Sequence, residues 1–167
     1  MKKFLLVLCM LLLATTALAF PKVENSDEIL ADMKANPARY IRFGGASIGL
    51  SFYIDKNSIN VHKYEPPEYI IAARKLTHAD SGQGGRQAIE FDGLMRYRYD
   101  YNQRKMYYET EDENGRLIWK HIDPSLSKTY HDDNYIAAGE ILFYLAYNMN
   151  FYDKVATKSA REYIEAH

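Results

Sequence analysis

The strongest constraint on the fold is a run of alternating aromatic and charged residues near the middle of the chain. Tyr97, Tyr99 and Tyr101 are spaced two residues apart, and charged side chains occupy the positions before and between them. Successive side chains of a β-strand point to opposite faces, so this spacing produces one aromatic face and one charged face. A helix would scatter both sets around its surface. The run therefore predicts a strand whose tyrosines face the core.

This strand belongs to a predicted meander between Leu94 and Ile122. Gln103-Arg104 and Asn114-Gly115 separate three stretches suited to strands. The Asn-Gly dipeptide is typical of a two-residue type I′ hairpin turn, because both residues tolerate a positive φ. We therefore expect three consecutive antiparallel strands joined by two tight turns.

A two-residue turn at Asn114-Gly115 also predicts the register of the second hairpin. It places Glu113 opposite Arg116 and Glu109 opposite Lys120, which gives two pairs of opposite charge on one face. A shift of one residue would exchange the two faces and lose both pairs. The other face, predicted to point to the core, would carry Met106, Tyr108, Leu117 and Trp119.

The first nineteen residues have the pattern of a secretory signal peptide. Lys2 and Lys3 precede an unbroken apolar run over residues 4–13, and Ala17-Leu18-Ala19 is a small-x-small cleavage site. The run is too short to span a bilayer, which takes about 20 residues. We expect cleavage before Phe20 and export of the mature chain without a transmembrane span; an uncleaved N-terminal anchor is the alternative. Cys9, the sole cysteine, would leave with the leader, so the mature chain would hold no disulfide.

The charge of the mature chain argues against nucleic acid as a partner. The leader holds two of the 21 lysines and arginines and none of the 22 acidic residues, which leaves a formal net charge of −3. A chain without an excess of basic residues lacks the electrostatic footprint of a polyanion-binding protein. Residues 20–167 suit a single domain with an adequate core.

The rest of the chain predicts strands flanked by helices. A short helix begins at Ser26 and ends before Pro37. The apolar stretch Tyr135–Tyr147 reads as a helix buried against the sheet, and Tyr152–Ala166 as an amphipathic helix. The predicted fold is an α+β domain in which an antiparallel sheet of about six to eight strands packs against the C-terminal apolar helix. Further strands are expected at residues 39–43, 48–54, 58–64, 69–77 and 87–91.

Parts of the predicted sheet resemble the surface-adhesin protein E-like family of Gram-negative bacteria. Tyr40-Ile41-Arg42, the run Phe52–Ile59 and Gly115–Trp119 carry the resemblance, which extends over Tyr40–Pro124. It implies an exported protein of the periplasm or cell surface, with an antiparallel sheet and a helix. It also implies adhesion to host matrix proteins, as in some members, or inhibition of lysozyme, as in related small β proteins.

Candidate catalytic and metal sites are weak. No pair among the five histidines has the spacing of zinc ligands. His131-Asp132-Asp133 could hold a divalent cation, but the pattern favours a polar helix cap. His78–Ser81 holds the residue types of a hydrolase triad within one loop, whereas triad members come from separate parts of a fold. Gly82–Arg86 lacks the Gly-Lys-Ser/Thr of a P-loop. We therefore expect no cofactor, no metal and no enzyme activity.

The sequence thus favours an exported, non-enzymatic binding protein of the cell envelope, adhesin-like, with a protein or cell-wall partner. A lysozyme-inhibitor-like periplasmic protein is the first alternative, and a small periplasmic hydrolase using the His78–Ser81 loop is the second. Arginine and tyrosine dominate interface energies, so they are the preferred anchors on the sheet. The candidate binding residues are Arg96, Arg98, Tyr97, Tyr99, Tyr101, Tyr107 and Lys120.

Overall fold

A computed structural model describes residues 26–46, 49–79, 88–126 and 129–167. The predicted leader Met1–Ala19 and the glycine-rich Gly82–Arg86 lie outside these residues. The described part contains a short N-terminal helix, then seven strands, then two helices, which confirms the α+β class. The helices are α1 (Ser26–Ala35), α2 (Tyr130–Tyr147) and α3 (Lys158–Glu165). The strands are β1 (Tyr40–Ala46), β2 (Leu50–Asp55), β3 (Asn60–Glu65), β4 (Glu68–Ala79), β5 (Ala88–Asp100), β6 (Lys105–Glu111) and β7 (Leu117–Ile122).

The strands form one antiparallel sheet in the order β1-β2-β4-β5-β6-β7. β2 and β3 both pair with the same side of β4, β2 with its C-terminal half and β3 with its N-terminal half. A short 3-10 turn at Lys56–Ser58 separates these two strands. β1 and β7 therefore lie at the two ends of the sheet.

β5 is longer than the sequence pattern predicted. The sequence predicts a short strand at residues 87–91, but the backbone continues through Asp92-Gly93 as one strand to Asp100. Phe91 pairs with Leu76 and Gly93 pairs with Lys75, so Asp92 is an extra residue in the ladder. Gly93 has a φ of +97°. The dipeptide therefore forms a β-bulge, which bends a strand without ending it.

The predicted register of the β6–β7 hairpin is wrong by one residue. Glu109 pairs with Trp119 and Glu111 with Leu117. The loop has three residues, because the Asp112 amide donates to the Arg116 carbonyl and the Gly115 amide to the Asp112 carbonyl. This arrangement is a type I turn followed by a left-handed glycine, at φ +74°.

The Asp112 carboxylate explains the longer loop. It accepts hydrogen bonds from the amides of Asn114 and Arg116, both at 2.9 Å, and from Arg116 Nε at 2.9 Å. The pattern of apolar and charged residues alone did not reveal this side-chain support. As a consequence, the expected pairs of Glu113 with Arg116 and Glu109 with Lys120 do not form, and Leu117 and Trp119 do not face the core.

α2 covers one face of the sheet and builds the main core. Thr129 caps its first turn by accepting a hydrogen bond from the Asp132 amide. Gly139 lets the helix approach the sheet closely, since a Cβ there would lie 2.1 Å from the sulfur of Met106. The fully buried side chains of this core include Ile54, Ile71, Tyr97, Tyr99, Met106, Ile136, Ile141, Leu142, Phe143 and Phe151.

α1 packs on the opposite face, where it contacts β5 and the side chains of Tyr40 and Leu76. Ile29 of the helix contacts Tyr40 and Leu76 in a small second core. Leu76 lies three residues after Ala73 on β4, and Ala73 belongs to the core under α2, so alternation places them on opposite faces. α1 therefore covers only part of this face. In the described residues, no helix is both long and apolar enough to cross a membrane.

The C-terminal helix is shorter than expected. The sequence predicted a helix over Tyr152–Ala166, whereas α3 begins at Lys158 after an irregular segment. The buried Glu140 of α2 holds this segment by accepting bonds from the Ala156 amide at 2.7 Å, the Thr157 amide at 3.3 Å and the Thr157 hydroxyl at 3.1 Å. Thr157 in turn caps α3.

Candidate functional site

Two arginines and two aromatic rings lie together on the face of the sheet opposite α2. We call Arg96, Arg98, Tyr107 and Trp119 the arginine–aromatic cluster. Arg98 pairs with Tyr107 across β5 and β6, and the row continues to β7. α1 packs further along this face, over Leu76. All four side chains are partly exposed, so the described residues leave the cluster accessible to solvent.

Arg98 lies at the centre of the cluster. Its Cζ is 4.5 Å from the centroid of the Tyr107 ring and 6.0 Å from that of Trp119. A guanidinium over an aromatic face is attracted by the ring quadrupole, more strongly where water is partly excluded. Arg98 makes no ion pair with any described residue. Its planar donor fork is thus held in place by rings and remains able to bind a carboxylate.

Arg96 is positioned differently, because it is paired within the molecule. Its Nη1 lies 2.9 Å and 3.0 Å from the two carboxylate oxygens of Glu109. Its Cζ lies 5.9 Å from the Trp119 centroid. The Arg96 Nε is buried and has no hydrogen-bond partner among the described residues. The ion pair with Glu109 holds the Arg96 guanidinium beside Trp119.

The two neighbouring residues His121 and Lys120 of β7 lie on opposite faces of the sheet. His121 lies beside Tyr107, with ring centroids 5.1 Å apart. Lys120 points to the α2 side of the sheet, where its Nζ is 5.9 Å from the Tyr108 centroid. Among the predicted binding residues, Lys120 is therefore separated by the sheet from Arg96 and Arg98.

The predicted tyrosine stripe divides between core and surface. Tyr97 and Tyr99 are fully buried and donate hydrogen bonds to the carbonyl oxygens of Tyr135 and Gly139 at 3.0 Å and 2.8 Å. Burial raises the pKa of both phenols well above the usual value. They face away from the open face, so a partner docked there would not reach them.

Tyr101, the third member of the stripe, is half-buried at the end of β5. Its ring stacks on Phe143 with centroids 5.7 Å apart, and the Arg104 Cζ lies 3.8 Å from its centroid. Arg104 also donates to the carbonyl of Phe151 at 2.7 Å. These contacts tie the four-residue β5–β6 loop to the segment after α2, so Tyr101 serves packing.

Trp119 and Glu109 are members of this site that the sequence did not single out. Both were assigned from the two-residue turn, which placed Trp119 in the core and Glu109 opposite Lys120. The observed register makes them a cross-strand pair on the open face. The signal that could have found them is Asp112, because an aspartate three residues before glycine suits a type I turn with a following left-handed residue.

Searches against protein-family models, curated proteins and solved structures found no match to this chain.

A second polar cluster lies inside the fold, around Asp55. This carboxylate is 1% exposed and accepts bonds of 2.7 Å from Arg39 Nε, Arg39 Nη2 and Arg74 Nη2. Burial raises the pKa of Asp55, but the hydrogen bonds from the two arginines outweigh burial and hold that pKa below its usual value. Ser58 completes the cluster by accepting from the Arg74 amide at 2.7 Å. The cluster therefore joins the residue before β1 to the end of β2, the 3-10 turn and β4.

In the described residues, the weak catalytic and metal candidates are not brought together into a site. His78 lies within β4, with its Nε2 buried and no hydrogen-bond partner among the described residues, and Asp80 and Ser81 lie outside the described ranges. The His131 side chain also lies outside the described part of the chain. No group of three or more His, Cys, Asp or Glu in the described ranges could hold a metal ion.

A broad concavity lies away from the cluster, between β1 and α3. It has a volume of about 780 Å³, and its lining includes Arg42, Asn134, Glu162 and His167. The His167 ring stacks on Tyr163 at 4.4 Å. This groove is open to solvent and mixes both signs of charge, so its lining favours no single ligand.

Proposed function

We propose that this protein is an exported, non-enzymatic binding protein of the bacterial cell envelope, which binds a protein partner through the arginine–aromatic cluster. The observation that carries the proposal is the position of Arg98 beside the rings of Tyr107 and Trp119, on the face of the sheet opposite α2. The predicted leader supports export. The resemblance to the surface-adhesin protein E-like family supports an adhesin-like role.

The chemistry of the cluster supports a protein partner. Tryptophan, tyrosine and arginine are enriched among the residues that contribute most to protein–protein binding. These side chains are already held by contacts with each other, so little conformational entropy would be lost when a partner docks. A sugar polymer could stack on Trp119, but it would leave the Arg98 guanidinium without a charged partner. We therefore expect an acidic segment of a protein, with a carboxylate at Arg98 and an apolar side chain against Trp119.

The proposal can be tested by measuring binding of the purified protein to immobilised probes by biolayer interferometry. The probes are fibronectin, laminin and collagen as matrix proteins, a c-type lysozyme, and purified peptidoglycan. We expect micromolar or tighter binding to at least one protein probe. A parallel lysozyme activity assay distinguishes matrix binding from an inhibitor-like role.

Substitutions separate the cluster from the rest of the surface. Arg98→Ala and Trp119→Ala should each weaken binding by about tenfold or more, since truncation of a central interface residue typically costs at least about 1–2 kcal/mol. Arg161→Ala is the matched control, because Arg161 is exposed on α3, far from the cluster in the fold, and bonds only the Val155 carbonyl among described partners. Retention of full binding by Arg98→Ala and Trp119→Ala, or binding to peptidoglycan alone, would refute the proposal.

A further inference from the structure

The outer edge of β7 has no strand beside it in the described ranges. β7 pairs with β6 on its inner side. Its first two residues are apolar and exposed, Leu117 by 64% and Ile118 by 42%. An unpaired strand edge with apolar side chains is a ready template for another strand. This edge is distinct from the open face, because a partner bound there would extend the sheet in its own plane.

The hairpin hydrogen bonds fix which backbone groups point outward. The Asp112 amide bonds to the Arg116 carbonyl, so these two residues form a bonded pair. Bonded and non-bonded pairs alternate along an antiparallel ladder. The N–H and C=O groups of Leu117, Trp119 and His121 therefore point away from β6, toward the free edge. These three residues are spaced symmetrically about Trp119.

We propose that two copies of this chain pair antiparallel through β7, with Trp119 of one copy opposite Trp119 of the other. In this register Leu117 of each copy faces His121 of the other. All three outward-pointing residues then find partners, and about six hydrogen bonds join the copies. The two-fold axis passes between the tryptophans, which makes the interface isologous.

The charges on β7 favour this register over its neighbours. Lys120 of each copy faces Ile118 of the other, so no like charges are directly opposed. Arg116 of each copy, whose side chain is 74% exposed, is opposite the apolar Ile122 of the other. A shift of two residues in one direction places Lys120 against Lys120. A shift in the other direction leaves only about four hydrogen bonds. The second copy is therefore a better match to this edge in the symmetric register than in a shifted one.

The proposed pairing would bring two arginine–aromatic clusters together. Trp119 lies on the open face, and it would lie at the junction of the two sheets. The clusters of both copies would then form one continuous surface across the axis. The pairing itself does not depend on any partner bound there, so it can be tested without one.

Cysteine cross-linking tests the register directly. In a Cys9→Ser background, Trp119→Cys should form an intermolecular disulfide under mild oxidation, because bonded antiparallel pairs have Cα atoms about 5.5 Å apart, within disulfide reach. Ile118→Cys is the matched control, adjacent and exposed, but it faces Lys120 of the other copy. Non-reducing electrophoresis of purified protein should show a cross-linked dimer for Trp119→Cys and a monomer for Ile118→Cys. Cross-linking through Ile118→Cys as strong as through Trp119→Cys overturns the register.

Sedimentation equilibrium tests the assembly itself. The unmodified protein, purified after expression of the full sequence, should be a dimer at micromolar concentration. Trp119→Lys and Trp119→Glu should each weaken dimerisation by about tenfold or more, since like charges would be opposed on the axis. An equimolar mixture of these two variants should restore the dimer, which a folding defect could not do. A monomer for the unmodified protein, or no recovery in the mixture, overturns the proposal.

Discussion

The phenolic hydroxyl of Tyr99 donates a 2.8 Å hydrogen bond to the carbonyl oxygen of Gly139. One residue lies in the centre of the sheet and the other in the middle of α2, so the bond joins the two layers of the fold. Both partners are excluded from water, since Tyr99 is fully buried. Buried tyrosines usually satisfy their hydroxyl in this way.

Tyr99→Phe should lower the free energy of unfolding by about 1 kcal/mol, the net value of a typical buried hydrogen bond. The helix carbonyl keeps its own intrahelical partner, so no acceptor is left unsatisfied. Urea denaturation followed by circular dichroism measures the change. Tyr107→Phe is the control, because Tyr107 lies on the open face. A loss in the control equal to that of Tyr99→Phe would contradict this explanation.

Gly139→Ala should destabilise the protein although alanine favours helix. The new Cβ would meet the Met106 sulfur at 2.1 Å and the Tyr97 ring at 3.0 Å. Overpacking a core costs about 1–3 kcal/mol, whereas the helix propensity gain is at most about 1 kcal/mol. We expect a net loss in unfolding free energy. In a Met106→Ala background, Gly139→Ala should cost less than it does in the wild type, and an equal cost in both backgrounds would disprove the steric account.

Gly115→Ala and Asn114→Ala distinguish the observed hairpin turn from the predicted one. Only Gly115 has a positive φ, +74°, in this turn. Alanine at position 115 should therefore cost about 1–2 kcal/mol, the penalty of a left-handed residue with a Cβ. Alanine at position 114 should cost less. A type I′ turn would need positive φ at both positions, so equal costs in thermal denaturation would favour the two-residue turn.

Asp55→Asn should destabilise the protein strongly. The substitution removes the charge that pairs with Arg39 and the buried Arg74, and breaking such a buried pair costs about 3–5 kcal/mol. Asp153→Asn is the control, because Asp153 pairs with Arg104 at the surface and its side chain is 88% exposed. That change should cost less than about 1 kcal/mol. Comparable losses in chemical denaturation would show that the Asp55 cluster does not hold the fold.

The pH dependence of stability should carry opposite contributions from Asp55 and Glu140. The pKa of Asp55 is lowered in the folded state, so its stabilisation is present above the unfolded pKa and is lost as pH falls through the folded pKa. Burial raises the pKa of Glu140, and the hydrogen bonds from Ala156 and Thr157 only partly oppose it. The folded protein then holds this proton more tightly, so stability falls as pH rises from about 4.5 through the folded pKa.

Glu140→Gln isolates the second contribution. The unfolding free energy of the wild type minus that of the variant should fall over this pH interval and stay level above it. Denaturation midpoints in a series of buffers measure the difference. A difference that increases with pH across the same interval would mean that the hydrogen bonds dominate over burial.

The sequence by itself determined most of the strands and helices and the layer that α2 forms on the sheet. Alternation at Tyr97 and Tyr99 placed their rings on the core face, as the structure confirms. The apolar stretch 135–147 predicted the helix that covers the sheet. Both are local periodicities, which the geometry of strand and helix converts directly into faces.

Tertiary structure alone decided the register of β6–β7 and the membership of the cluster. The difference between a two-residue and a three-residue loop lies in the bonds of one side chain, Asp112, and it transfers Trp119 from one face to the other. The partners of Asp55 and Glu140 are likewise distant in sequence, 16 or more residues away for the Arg39, Arg74 and Ala156 contacts. Such contacts depend on how the helices and strands pack against each other. The local spacing of apolar and polar residues does not predict that packing.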